Sequence, residues 1–207
     1  GMLPVDINAL NPTYYAGNCH KWMCAPKGTG FLWVRHDRRA DMRPLIISHG
    51  ANSKRTDRLR YRLEFDYCGT EDVTGFLLLP ELIAYMDGLL PGGWPEIIFR
   101  NRELAIRGRA VLCRELASEP PAPEHMIASL AAAPIADRTE AHAAIPTRYH
   151  DALQDRLIQK WGIQVPINVF PLGSCRRAVR IAAQMYNTME QVEYLARALR
   201  EELAAES

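Results

Sequence analysis

From residue 59 to 67 apolar and polar positions alternate strictly. Leu59, Tyr61, Leu63, Phe65 and Tyr67 fall on one side, and Arg60, Arg62, Glu64 and Asp66 on the other. A period of two predicts a strand covered on one face. Residues 31–34, Phe-Leu-Trp-Val, form a short apolar run after the Lys27-Gly28-Thr29-Gly30 turn and read as a buried strand. The Asn-, Pro- and Tyr-rich stretch 8–17 reads as irregular connection. From Cys68-Gly69-Thr70-Glu71-Asp72 an apolar segment runs to about Leu90 and predicts a helix. Thr70 is its expected N-cap, with Glu71 and Asp72 in the first turn and Pro80 dividing the helix. Pro91-Gly92-Gly93-Trp94-Pro95 is the sharpest break in the pattern, so a hinge is expected at 91–94 between a domain of residues 1–90 and one of residues 95–207.

Past the hinge the period becomes helical. A long helix is expected from Pro95 to about Ala117, followed by a linker around Pro120-Pro121-Ala122-Pro123 and an Ala-rich strand region at 126–136. Tyr149, Leu153, Leu157 and Trp161 recur every fourth residue, which predicts a helix over 148–161 with Gly162 as its stop. Ile163, Val165, Ile167 and Val169 alternate with polar residues and Pro166, the pattern of an edge strand. Residues 178–183 read as a second strand. Thr188 and Gln191 have the spacing of a capping box that opens a last helix, whose apolar stripe is Val192, Leu195, Leu199 and Leu203. These elements make a small, self-contained α+β layer.

Composition narrows the function classes. The chain has 207 residues, 48% of them hydrophobic, and a formal net charge of +1. That balance offers nothing to attract nucleic acid or an anionic membrane, and no apolar run approaches the roughly 18–20 residues that span a bilayer. Five cysteines, none in a CxxC pair, argue against a disulfide framework or a metal site and for a reducing cytoplasm. Chemistry concentrates in residues 16–31, where Lys21 stands between His20 and Trp22. Poor hydration there would favour the neutral amine that Schiff-base chemistry uses. An ordinary, partly exposed lysine fits the same residues. Gly28 and Gly30 lack the spacing of a phosphate loop and, by themselves, mark a tight turn.

The run GNCHKWMCAPKGTGFLWV resembles the lysine motif of the class V aminotransferases, fold type I pyridoxal-phosphate enzymes, and is closest to their isopenicillin-N-epimerase-like branch. Tyr67-Cys68-Gly69-Thr70-Glu71-Asp72 resembles the family's later GT-x-D segment. Residues 179–188, ending Tyr186-Asn187-Thr188, resemble its closing segment, and the three motifs stand in the family's order. The resemblance implies an α/β fold, an incomplete large-domain portion followed by the small α+β domain. It implies pyridoxal 5'-phosphate as cofactor and an amino acid as substrate. Lys21 would hold the cofactor as a Schiff base and shuttle protons at the substrate Cα. His20 and Asn18 match positions that hydrogen-bond the cofactor phosphate, although Ser often stands where Asn18 does. Gly69 and Thr70 match a turn that reaches the phosphate bound in the partner subunit of a homodimer. Arg180 matches the arginine that grips the substrate α-carboxylate, a task suited to a planar bidentate donor. Without that context Arg180 would read as a strand arginine in a surface ion pair.

Cysteine desulfurases of this class carry a nucleophilic cysteine on a loop ahead of the position of Arg180. Residues 162–173 contain none, which disfavours that reaction. Cys19 and Cys24 flank Lys21 as small packed residues. In the family the lysine lies near the middle of a considerably longer chain, and the preceding half supplies the aspartate that pairs with the cofactor ring; Asp6 follows that motif and is not its equivalent. Two expectations result: a fragment of an enzyme acting at the Cα of an amino acid by epimerisation, transamination or, as the next choice, C–S cleavage, or a truncated product that keeps only the fold and its association surfaces.

Overall fold

The computed structural model describes residues 1–206 and divides into two compact units, one of Leu3–Gly93 and one from Trp94 onward. The first opens with α1 (Ile7–Leu10), whose N-terminal amides at Asn8 and Ala9 are capped by the Asp6 carboxylate at 2.9 and 3.1 Å. An antiparallel hairpin follows, β1 (Tyr14–Asn18) and β2 (Gly30–Val34), in register from Tyr14 opposite Val34 to Asn18 opposite Gly30. The expected irregular stretch is therefore partly helix and partly strand. Tyr14 and Tyr15 suit a pleated surface and find a partner in β2, which local reading of Asn and Pro does not anticipate. The run in β2 is also less buried than expected: Val34 is buried, but Phe31 and Leu32 are exposed on the two-stranded ribbon.

Residues 59–67 are the clearest departure. They form not a strand but a helix, α2 (Arg60–Phe65). Spacings of four override the alternation. Arg60 pairs with Glu64 at 3.9 Å, Arg62 with Asp66 at 3.5 Å, and the rings of Tyr61 and Phe65 lie 4.7 Å apart. The residue this helix buries is Glu64, 4% exposed, held by the Arg43 guanidinium. Gly50 lies so close to the Leu63 carbonyl that a Cβ there would overlap it, which fixes the preceding 3-10 turn (His49–Asn52) against α2.

Thr70 does not cap a helix. Gly69 takes a left-handed φ of +122°, the chain stays irregular to Val73, and the Asp72 carboxylate accepts the Thr74 amide at 2.9 Å. Helix α3 (Thr74–Leu77) starts there, and α4 (Leu79–Asp87) follows with Pro80 in its first turn, where a missing N–H costs nothing.

The second unit holds the large core. Its long helix α5 (Gly93–Glu115) begins two residues before Pro95, and β3 (Leu130–Ile135) is shorter than its Ala-rich surroundings. A one-turn helix, α6 (Glu140–Ala143), precedes α7 (Ala152–Trp161), which the Asp151 carboxylate caps and a left-handed Gly162, φ +65°, ends. Strands β4 (Ile167–Val169) and β5 (Arg177–Ala182) complete an antiparallel sheet of order β3-β5-β4. Pro166 and Pro134 thus fall beside or within edge strands, where a lost donor is tolerated. Helix α8 (Met189–Ala204) starts on the Thr188–Gln191 capping box. On the sheet's covered face Ala131, Ala133, Val179 and Ile181 meet Leu112, Leu153, Leu157 and Leu199 from the helices. Gly108 lets α5 approach β5 and α8 closely: a Cβ there would stand 2.8 Å from Ile181 and 3.3 Å from Val192.

Candidate active site

The hairpin positions the lysine motif. β1 ends at Asn18 and β2 begins at Gly30, so residues 19–29 bulge out as one loop between paired strands. Internal hydrogen bonds shape it: Ala25 N–H to the Cys19 carbonyl at 3.0 Å, Cys24 N–H to the Lys21 carbonyl at 3.0 Å, and Thr29 N–H to the Pro26 carbonyl at 3.2 Å. His20 closes its mouth. Both its backbone N–H, at 3.2 Å, and its ring Nδ1, at 2.9 Å, bond the Thr29 carbonyl.

Lys21 follows that closure directly. Its side chain is exposed, without hydrogen bond or ion pair among the described residues. The desolvation expected from its neighbours is therefore not supplied: Trp22 is half-buried, but the bend at Lys21 turns the amine toward solvent. Asn18 is exposed at the strand end. Cys19 is buried, and burial pushes its thiol up, with the N-terminal ammonium opposing only in part. A buried thiol held in its neutral form is a packing group, not a nucleophile.

Gly69 and Thr70 lie in a second loop of the same unit, Gly69 half-buried and Thr70 exposed. The chain following them comes back to the lysine loop, because a Cβ on Gly75 would overlap the Thr29 hydroxyl and lie 3.6 Å from Pro26 Cβ. Asn18 ends the strand that leads into the loop holding His20 and Lys21, and Gly69 and Thr70 precede a helix start that packs on that loop. Arg180 belongs to the second unit. It lies on the open face of β5, opposite Ala132 of β3, with its N–H on the Pro166 carbonyl at 3.2 Å. No carboxylate pairs with its guanidinium among the described residues, unlike the surface ion pair weighed for it. Arg180 also lines a cleft of about 580 Å³ between residues 162–166, β5 and the start of α8.

The donors of the first unit suit pyridoxal phosphate by their chemistry: an unpaired primary amine for an aldehyde, and amide, imidazole and hydroxyl groups for a phosphate. In the second unit, the unpaired guanidinium of Arg180 suits a carboxylate. Sequence reasoning missed Thr29, which is 2% exposed and whose carbonyl takes both bonds from His20. A carbonyl carries no residue-specific signal, although the turn around it was legible.

Comparison with known proteins agrees with the resemblance. The model of the class V aminotransferases matches residues 1–91. Over those residues the chain is similar to that family. Isopenicillin N epimerase of Amycolatopsis lactamdurans is 34% identical over 97% of this chain and 50% of its own length. A probable L-cysteine desulfhydrase of Arabidopsis thaliana is 24% identical over 94% of this chain and 41% of its own. Among solved structures, the Escherichia coli cysteine desulfurase CsdA, crystallised as its S-sulfonic acid, superposes with a TM-score of 0.68 at 20% identity, covering all of this chain and 50% of that one. That likeness shows the fold, the mixed α/β fold of fold type I pyridoxal-phosphate enzymes. The chain spans about half the length of the curated relatives it matches. No helix among the described residues is long and apolar enough to cross a membrane.

Proposed function

We propose that this chain is part of a pyridoxal-phosphate enzyme that acts at the Cα of an amino acid, with epimerisation as the favoured reaction. The observation that carries the reading is the family's lysine, unpaired and exposed on a closed loop, in a chain 34% identical to an isopenicillin N epimerase over nearly all its length. Bound pyridoxal phosphate supplies a ring that stabilises negative charge at Cα. Lys21 would hold the cofactor through Nζ and would carry the proton to and from the substrate Cα. Asn18 and His20 would hold its phosphate. Gly69 and Thr70 would offer an amide and a hydroxyl to the phosphate held by a second copy, in a homodimer. Arg180 holds the substrate α-carboxylate with two parallel N–H donors and so orients the Cα–H bond.

C–S cleavage is the second reading, supported by the desulfhydrase relative. It uses the same Lys21 and Arg180 and differs in needing a leaving group on Cβ.

The first test is covalent. The chain is incubated with pyridoxal phosphate, reduced with borohydride, and its peptides mapped by mass. It has four lysines, at 21, 27, 54 and 160, so the label has few places to go. Label concentrated on Lys21 and absent from Lys21→Ala supports the reading. Equal labelling of all four, or none, refutes it. Deuterium entering Cα of a recovered amino acid without sulfide release favours epimerisation; sulfide release favours the lyase.

A further inference from the structure

We propose that His49 is a further phosphate-binding residue of the same site, contributed by the second copy together with Gly69 and Thr70. This rests on the pyridoxal-phosphate reading for the place of that turn, and adds to it a side chain that no motif marks.

The turn is rich in free donors. Among the described residues the N–H groups of Cys68, Gly69, Thr70 and Glu71 and the Thr70 hydroxyl have no hydrogen-bond partner. Gly69, at φ +122°, has open space where a Cβ would stand. These donors are neutral, however, and Glu71 and Asp72 follow directly. Asp72 is engaged by the Thr74 N–H at 2.9 Å, but both carboxylates still repel an anion. A phosphate held at this turn needs a donor that can carry positive charge.

His49 is that donor. Its ring stacks on Tyr67, two residues before Gly69, with centroids 6.1 Å apart and planes inclined by 21°. It is exposed, and neither ring nitrogen has a hydrogen-bond partner among the described residues. A free imidazole can donate from either nitrogen once it takes up a proton beside an anion. The nearby arginines are committed elsewhere: Arg43 to the buried Glu64, Arg58 and Arg62 to Asp66, and Arg55 to Asp57. The backbone under His49 is pinned. Gly50 packs on the Leu63 carbonyl, and the Arg60 guanidinium donates to the carbonyls of Gly50, Ala51 and Ser53 at 2.6, 3.1 and 3.1 Å. A fixed, stacked and unpaired imidazole beside an unpaired turn is preorganised for an anion.

Removing the nitrogens without the ring isolates the role. His49→Phe keeps an aromatic stack on Tyr67 and loses both donors; His49→Gln restores a donor without the ring. Borohydride trapping on Lys21 is followed against the concentration of pyridoxal phosphate and of phosphate-free pyridoxal. A hydrogen bond to an anion corresponds to roughly tenfold or more in affinity. His49→Phe is expected to raise the half-saturating concentration of pyridoxal phosphate by that factor and to leave that of pyridoxal unchanged, with His49→Gln recovering most of the loss. Mixing His49→Phe with Lys21→Ala pairs an intact lysine in one copy with an intact His49 in the other, so parental trapping should return on the chains that have so paired. Equal weakening for both aldehydes marks a merely structural ring and overturns the proposal. So does an unchanged value for pyridoxal phosphate, or a loss that mixing does not repair. Inorganic phosphate reads the turn without any aldehyde: in Lys21→Ala it should shift the amide signals of Gly69 and Thr70 and the ring signals of His49 together, and more weakly at the two amides when His49→Phe is added. No shift overturns the proposal. Joint shifts in a protein whose parent chain traps neither aldehyde on Lys21 support the anion site and refute the cofactor reading alone.

Discussion

Replacing Arg177 by methionine tests the main polar feature of the second unit. Arg177 is on the covered face of β5, its side chain 1% exposed, between two carboxylates from distant elements. Its Nε donates to the Ala136 carbonyl at 2.7 Å, Nη1 to Asp151 at 3.2 Å and to Glu206 at 3.3 Å, and Nη2 to the second oxygen of Glu206. Methionine keeps much of the volume and removes all four bonds. Taking one partner out of a buried ionic cluster costs about 3–5 kcal/mol, because the remaining charges stay buried. The lower end applies here: Asp151 keeps Arg138 at 3.3 Å and the Leu153 N–H, and Glu206 keeps Arg156. A loss of about 3 kcal/mol corresponds to roughly a hundredfold, given about 1.4 kcal/mol for each tenfold. Native-state hydrogen exchange of the β5 amides should therefore lose about that much protection. Arg176→Met, at the exposed neighbour, is the control for charge alone and should stay within about 0.5 kcal/mol. A loss below about tenfold in Arg177→Met would refute the reasoning and show that Arg138 and Arg156 neutralise the two carboxylates by themselves.

Three further outcomes follow from the same packing. Glu202 and Glu206 have their carboxyls raised by burial, but hydrogen bonds from Lys160, Trp161 and Arg156 to the first and from Arg177 and Arg156 to the second outweigh it, so both lie below the ordinary 4.5. Their folded-state values are depressed, so the stability they lend is complete above that ordinary value and drains away as pH falls below it; acid titration of second-unit exchange should show this, and Glu206→Gln should flatten the dependence. Gly50→Ala drives a methyl into the Leu63 carbonyl backbone and should cost about 1–3 kcal/mol or more, read as lost protection over 49–65. Thr188→Ala removes the oxygen that accepts the Gln191 N–H at 3.4 Å and should destabilise α8 by about 1 kcal/mol, with Thr188→Ser restoring most of it.

What the sequence reveals depends on how local the physics is. The Gly162 stop, the Thr188 capping box and the edge position of Pro166 each follow from a few adjacent residues and are present as expected. Residues 60–65 mislead because one segment carries two periods. Its apolar residues alternate, while its charged and aromatic pairs repeat every four, and burial of Glu64 instead of the apolar face settles it. The ionic cluster around Arg177 has no sequence signature at all: Arg138, Asp151, Arg156, Glu202 and Glu206 meet only once β5, α7 and α8 have packed. In the candidate site Lys21 and Arg180 are legible through their motifs. The solvent exposure of Lys21 and the role of the Thr29 carbonyl are not, because both depend on how the hairpin closes.

The two units differ in how much apolar surface they bury, and this bears on the lysine loop. The large core cluster lies within the second unit. In the first, Leu45, Ile46, Ile47, Leu77 and Tyr85 are exposed, and few large apolar side chains are buried. Few buried contacts mean cheap local opening, so the 19–29 segment should exchange faster than β5 in the free chain. A ligand held covalently at Lys21 stabilises whichever conformation binds it, by RT ln(1 + [L]/Kd), about 2.7 kcal/mol at a hundredfold excess over Kd. If Lys21 anchors pyridoxal phosphate, its addition should therefore slow exchange at 19–29, and at 69–75 because Gly75 packs on Thr29. Lys21→Ala should abolish both changes. Slowing at 69–75 alone, or slowing that survives in Lys21→Ala, would mean that the aldehyde binds elsewhere and that the exposed lysine is only a turn residue.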